Sequence, residues 1–377
     1  MIGRFYTGKI DALIEPNKVL VVYGPRQAGK TTLIKEFLRG YTGKVYSSTG
    51  ENAPLADILA TNDIAKITAF FSGYNLIIID EAQQIDEIGT ALKIIVDHIP
   101  GICVIATGSS SFDLSNKIGE PLVGRQRIIT LYPLSVTELI AHFGGAYPAE
   151  HLDHLLIFGA YPEILTAPSL EKKKDLLASL RDGYLYRDIL EMENIRNSKK
   201  ILDLLRLIAF QIGKEVSIQE LGLTLGMSRA TVERYLDLLE KSFVLINIRG
   251  FSRNLRKEVT KTSRYYFYDT GIRNAVIDNF NPLNLRSSDD VGMLWENFIV
   301  TERLKKRSYT KIHANQYFWR TWQKQEIDLI EERDGKLFGY EIKYTKTHSK
   351  IPLQWKIAYP EASFEVISRE NYLSFIA

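Results

Sequence analysis

The stretch Gly24–Thr32, GPRQAGKTT, restricts this chain more than any other. It lies between an apolar run, Lys18 to Tyr23, and a helical pattern, TTLIKEFL, so it predicts a strand, a tight loop and a helix in succession. Gly24, Gly29, Lys30 and Thr31 satisfy G-x-x-x-x-G-K-[ST], with Pro25, Arg26, Gln27 and Ala28 as the intervening residues and Thr32 directly after. Each type has a reason. The glycines let backbone N–H groups curl around phosphate oxygens, Lys30 reaches the β- and γ-phosphates, and Thr31 ligates Mg²⁺. A plain glycine turn between core elements needs neither the lysine nor the two threonines.

The next informative run is NLIIIDEAQ, Asn75 to Gln83, four consecutive aliphatics ending in two carboxylates. Such a run suits a strand buried on both faces of a parallel sheet, at whose C-terminal edge ligands sit. There Asp80 can hold Mg²⁺ through water, and Glu81 can polarise the water that attacks a γ-phosphate. A helix N-cap is the plain alternative for the pair. Lys44–Ser48 and Gly101–Ala106 read as further strands, the latter ending in Thr107, Gly108, Ser109 and Ser110. One of those hydroxyls is a candidate phosphate sensor, with a helix cap as the alternative. Arg125 precedes a strand at Arg127–Leu131 and is a candidate arginine finger for a neighbouring subunit's nucleotide, or a surface arginine. Ser135-Val136-Thr137-Glu138 has the capping-box form.

With 45% hydrophobic and 25% charged residues over 377 positions, the chain can build two or three cored domains. A net charge of +3 is too mild to imply nucleic acid, so any basic surface has to be local. The single cysteine, Cys103, excludes a disulfide framework and points to a reducing cytoplasm. No apolar run approaches the ~18 residues of a membrane helix, so no membrane partner is expected.

GPRQAGKTT, LIIIDEAQ, ATGSSS and GRQRIITLYPLS, in this order, resemble the AAA+ ATPases, in the branch that includes the archaeal ATPase-like proteins. The resemblance covers residues 1–140 and implies a five-stranded parallel sheet, followed by a helical lid over 141–200. It also implies ATP and Mg²⁺ as cofactors, with Lys30 and Thr31 in the nucleotide loop, Asp80 and Glu81 as the magnesium and water-activating pair, Arg125 only loosely as the finger, and a homo-oligomer. Within the lid stretch, His151 and His154 are a surface pair rather than a metal site for want of a third ligand. Arg187 is a candidate lid arginine or an ion-pair partner of a nearby acid.

Residues 201–275 read as a winged helix-turn-helix: two helices joined at Gly226-Met227-Ser228, then a β-like segment. Arg229, Thr231 and Arg234 open the second helix, where base edges are read, while Glu233 and Asp237 oppose phosphate contact. DNA contact and a packing or protein-binding role stand level. Arg249, Arg253, Arg256, Lys257, Lys261 and Arg264 form a strip that can contact phosphates or be merely solvated.

In residues 276–377 a helix carries Glu296, and two alternating runs flank Asp334-Gly335, a hairpin signal. Asp328 lies on the first run. Glu341 and Lys343, two apart on the second, share a face. The hairpin can gather Asp328, Glu341 and Lys343, with Glu296 reaching in, as a Mg²⁺-binding carboxylate cluster beside a lysine. The arrangement resembles the PD-(D/E)XK nuclease superfamily, a restriction-endonuclease-like α/β fold, although Ile327 stands where that motif has proline. The expected catalytic residues there are Asp328, Glu341 and Lys343, and the expected metal ligands Glu296, Asp328 and Glu341. As a whole the chain is similar to bacterial and archaeal ATPases with a nuclease-like C-terminal region. Two functions follow: an ATPase coupled to DNA binding and Mg²⁺-dependent cleavage, or an ATP-switched DNA- or protein-binding regulator whose nuclease-like fold does not cut.

Overall fold

The computed structural model describes residues 2–108, 122–183, 198–252, 263–345 and 348–377. Ser109, Ser110, Arg187, Arg253, Arg256, Lys257 and Lys261 lie outside these residues. The chain divides into two compact units, one of Met1–Pro133 with Lys241–Phe243, the other of Leu134–Glu240 with Val244–Ala377.

In the first unit, β1 (Lys18–Tyr23), β2 (Val45–Thr49), β3 (Leu76–Asp80), β4 (Cys103–Gly108) and β5 (Gln126–Thr130) form one parallel sheet in the order β2-β3-β4-β1-β5. The central strands are nearly continuous Val, Ile and Leu because helices on both faces remove them from water. Asn52 and Asp63 cap the helices Ala53–Ala60 and Ile64–Phe70 by accepting from Leu55 and Lys66 N–H groups. Tyr23 pairs with Gly108, and Thr49 with Asp80, so the strand ends line up along one edge. β4 runs two residues further than expected, which puts Thr107 inside the strand rather than in the loop after it.

The second unit begins at Leu134, six residues before the expected end of the nucleotide core. Ser135 and Glu138 form the expected capping box on the helix Val136–Phe143. The helices read as a lid belong here. Asn274 on the helix Thr270–Val276 donates to the Leu156 and Ile157 carbonyls of Leu152–Phe158, and Asp269 accepts from Ala160 N–H.

A helix (Ser198–Phe210), β6 (Glu215–Val216), two helices (Ile218–Leu225 and Arg229–Lys241), β7 (Leu245–Gly250) and β8 (Ser263–Phe267) come next. The long helix Ser288–Thr310 leads into β9 (Asn315–Arg320), β10 (Glu326–Arg333), β11 (Lys336–Ile342), a short helix Leu353–Ala358 and β12 (Ser363–Ile367). All seven strands share one sheet, β12-β11-β10-β9-β7-β8-β6. The join is the parallel pairing of β7 with β9, Arg249 opposite Tyr317 and Gly250 opposite Phe318, so the sheet crosses position 275 unbroken. The expected hairpin turns at Asp334 and Gly335, both at positive φ (50° and 74°), the geometry that matches strand twist. β10 shifts register against β9 between Ile327 and Ile330. Asp328 sits in that irregularity, where a bulge re-aims a side chain.

Candidate functional site

The first site lies at the C-terminal edge of the parallel sheet. Gly24 leaves β1 at φ 152°, and a Cβ there would stand 2.0 Å from the Leu131 carbonyl oxygen. Only glycine fits, because that oxygen belongs to a backbone fixed by its own bond from Leu131 N–H to Tyr23. Gly24→Ala is therefore expected to displace either the loop or the chain after β5, lowering both the melting temperature and nucleotide affinity. Unchanged values in differential scanning fluorimetry and nucleotide titration would contradict the close approach.

Gln27 (φ 60°) and Gly29 (φ 98°) complete the curl, and the helix Lys30–Leu38 follows with its first N–H groups directed at the loop. Lys30 is buried, and its Nζ donates to the Gly24 and Pro25 carbonyls at 2.8 and 3.1 Å. Burial pushes its titration below the ordinary lysine value, against the pull of Glu81 and Asp80. Thr31 Oγ1 donates to Asp80 Oδ2 at 2.7 Å, and Thr107 donates to the other carboxylate oxygen. Thr107 Oγ1 also accepts from Glu81 N–H at 3.1 Å. Glu81 sits at φ 50°, with Gln83 Nε2 2.6 Å from its carboxylate. The loop, the hydroxyls and both carboxylates thus converge. A hydroxyl and a carboxylate 2.7 Å apart are the oxygen donors Mg²⁺ takes beside a nucleotide, so Thr31 and Asp80 suit that ion.

Two outcomes were not legible in the motif. Arg4, from the lead-in segment, donates to the Ala28 carbonyl and, at 2.6 Å, to the Tyr132 carbonyl, pinning the loop to the chain after β5. Its only sequence signal is an arginine beside the buried Tyr6 and Ile10. Arg125 precedes β5, at the opposite edge of the sheet from the loop, and pairs with Asp97 at 2.6 Å. Within this chain it is not brought to the nucleotide loop.

The second site lies on the seven-stranded sheet. Glu296 projects from the helix Ser288–Thr310, Asp328 from β10, Glu341 from β11, and Lys343 follows β11. Lys343 Nζ stands 2.8 Å from Glu341 and 3.6 Å from Asp328. Asp328 Oδ2 accepts from Ile342 N–H at 2.8 Å. The expected four residues meet, but Arg264 on β8 joins them. Its Nη1 is 3.7 Å from both Glu296 and Asp328, its Nη2 donates to Glu326 at 2.9 Å, and its guanidinium stacks over Phe318. Arg264 is only 3% exposed, which removes it from the solvent-facing basic strip in which it was placed. Tyr266, two residues on and therefore on the same face, donates to Glu296 at 2.7 Å. Among the described residues no three acidic, His or Cys side chains are arranged to hold a metal ion. The expected ligand set Glu296, Asp328 and Glu341 is instead balanced by Arg264 and Lys343, cations of the chain itself.

Burial, with the Asp328 charge adding to it, pushes Glu296 up to about 8 and Glu341 up to about 7. Burial opposes the charge on Lys343, but Asp328 and the two glutamates outweigh it and raise the lysine. The two glutamates keep protons in the fold that the unfolded chain, at an ordinary value of 4.5, has already released. Their contribution is complete below that value and is lost as pH rises through 7 to 8. The melting temperature should fall over this range, and less steeply in Glu296→Gln. An equally steep fall in the variant, followed by calorimetry across the pH series, would count against this assignment.

His151 and His154 bind Tyr147 and Lys173 rather than each other. Among the described residues no helix is long and apolar enough to cross a membrane.

Residues 16–140 match the family model described as an AAA domain, and residues 149–283 and 291–364 match two domains of unknown function, DUF8612 and DUF4143. The chain is 31% identical over 338 residues to the uncharacterized protein Rv2008c of Mycobacterium tuberculosis, covering 88% of this chain and 71% of that one. It is 26% identical over 364 residues to the uncharacterized protein MJ1544 of Methanocaldococcus jannaschii, covering 91% and 79%. A solved structure, the STAND protein PH0952 of Pyrococcus horikoshii with a tetratricopeptide repeat sensor, aligns at 15% identity and TM-score 0.31 over 82% of this chain and 50% of that one, too loosely to bear on function.

Proposed function

The chain belongs to the family of the mycobacterial protein Rv2008c, and, given its AAA domain, we propose that it is a P-loop ATPase that uses ATP to control nucleic-acid binding by its second unit. The observation that carries the ATPase reading is the Asp80 carboxylate held between the Thr31 and Thr107 hydroxyls, with Glu81 beside it. Bound Mg²⁺, held through Thr31 and Asp80, would neutralise charge on the nucleotide phosphates. Lys30 turns from the loop carbonyls to the β- and γ-phosphates, Glu81 orients and polarises water, and Thr107 holds the Asp80 carboxylate in place. Arg125, freed from Asp97, is the group a homo-oligomer would offer to a neighbour's nucleotide.

In the second unit the succession helix, β6, helix, helix, β7, β8 supports a winged helix, with Arg229 and Arg234 exposed on its third helix. Arg229 is paired with Glu233 at 2.8 Å, which tempers its pull on phosphate. The α/β module after it supports a nuclease-like fold that binds without cutting, because Arg264 stands among the carboxylates. Cleavage is the second reading, favoured by the contact of Lys343 with Glu341 and Asp328.

Incubation of supercoiled, linear and single-stranded DNA with Mg²⁺ or Mn²⁺, with and without ATP, separates the two. The expected result is binding without cleavage. Cutting by the wild type that disappears in Asp328→Ala would replace the first reading with the second.

A further inference from the structure

The turn between β9 and β10 carries Trp322, which at 103% relative exposure rests on nothing, and it makes no ring contact among the described residues. An indole in water is unfavourable by its apolar area alone, and tryptophans normally bury most of that area. The turn is not a loose end. Thr321 N–H donates to the Gln325 carbonyl at 2.9 Å, Gln325 Oε1 accepts from Gln354 N–H at 3.1 Å, and Gln323 bonds the Gln354 side chain. Those bonds set the turn against the helix Leu353–Ala358. That helix buries Trp355 but leaves Leu353 and Ile357 outside, with Ile351 just before them. Lys324 lies in the turn, Lys356 on the helix and Lys350 three residues before it, all exposed and none with a carboxylate partner among the described residues. The turn leads straight into Glu326 and Asp328, so the patch adjoins the carboxylate–arginine cluster.

We propose that this patch is a binding site for single-stranded nucleic acid, with Trp322 stacking on an unpaired base and Lys324, Lys350 and Lys356 facing phosphates. The inference rests on the nucleic-acid reading above and names its substrate class. A free aromatic face bordered by unneutralised lysines is how strands with unpaired bases are held, since every base offers a face for stacking. A duplex offers Trp322 no such face. A membrane surface fits less well, because the helix has six residues and cannot lay a long apolar side into lipid.

The remaining tryptophans, Trp295, Trp319 and Trp355, are buried, so Trp322 reports on its own site. The test titrates the full-length chain with an oligo-dT strand, its duplex with oligo-dA, and phosphatidylserine vesicles, following tryptophan emission and the anisotropy of labelled strands. Wild type should be quenched by the single strand and Trp322→Phe should not. Trp322→Ala should bind the strand on the order of ten-fold more weakly or worse, with an unchanged melting temperature showing that it folds. Changing the three lysines to glutamate should flatten the salt dependence by up to about 0.7 log unit per lost phosphate contact. Strand binding of equal strength in wild type and Trp322→Ala, with no quenching, overturns this site while leaving nucleic-acid binding standing. A blue shift with vesicles alone assigns the patch to lipid and overturns it too. Failure of wild type to bind either DNA form removes the underlying reading as well.

Discussion

Lys30→Ala is expected to abolish nucleotide binding, and Glu81→Gln to leave it intact while slowing ATP turnover by roughly 10²- to 10⁴-fold, the contribution of a placed general base. The two variants separate because their side chains do different things. Lys30 is buried among the Gly24 and Pro25 carbonyls and supplies the only lysine charge of the loop, so its removal takes away ground-state and transition-state attraction alike. Glu81 stands at the strand end, where its backbone is fixed by Thr107 and its side chain by Gln83. Glutamine keeps that shape but is a far weaker base. Isothermal titration with a non-hydrolysable ATP analogue and a phosphate-release assay read the two effects independently. Normal turnover in Glu81→Gln would remove it from the chemistry.

Arg264→Ala should destabilise the second unit by about 3–5 kcal/mol, the cost of leaving buried charges without their partner. Glu296 and Asp328 have little access to water, and the guanidinium lies 3.7 Å from each. Part of the loss should return in Arg264→Ala/Asp328→Asn, because the carboxylate abandoned 3.7 Å from the guanidinium is then neutral and the two sites are coupled. The single variant should also gain more stability from Mn²⁺ or Mg²⁺ than wild type does, since binding to the folded form alone stabilises it. Thermal melts with and without the ion check both statements. A variant as stable as wild type would show that Lys343 balances the cluster unaided.

How much of this was legible in the chain depended on the reach of each contact. The nucleotide loop, Asp80 and Glu81 are local patterns at strand ends, and a parallel sheet built from apolar runs delivers them to one edge. Asp334-Gly335 encodes its own turn through residues that tolerate positive φ, so the placing of Asp328 opposite Glu341 and Lys343 was also readable. Thr107 was readable as a hydroxyl at the edge but not as the partner of Asp80, which depends on β4 running two residues further than its apolar core. Arg4 was hidden because its partners lie 24 and 128 residues away. Arg264 was misplaced for a related reason. Among neighbouring lysines and arginines it reads as solvated charge, and only the pairing of β8 with both β7 and β6, in a sheet that β7 joins to β9, shows that it is interior and shares a sheet with the carboxylates.

The central claim is that the loop at Gly24–Thr32 hydrolyses ATP. The most direct measurement is phosphate release from ATP by the purified wild-type chain, with Mg²⁺ and with EDTA, alone and with single-stranded or duplex DNA. The account predicts release that requires Mg²⁺, is absent in Lys30→Ala, and changes in rate when DNA is added. Tight ATP binding with no release under any of these conditions would contradict it and leave a nucleotide-bound switch in place of an enzyme.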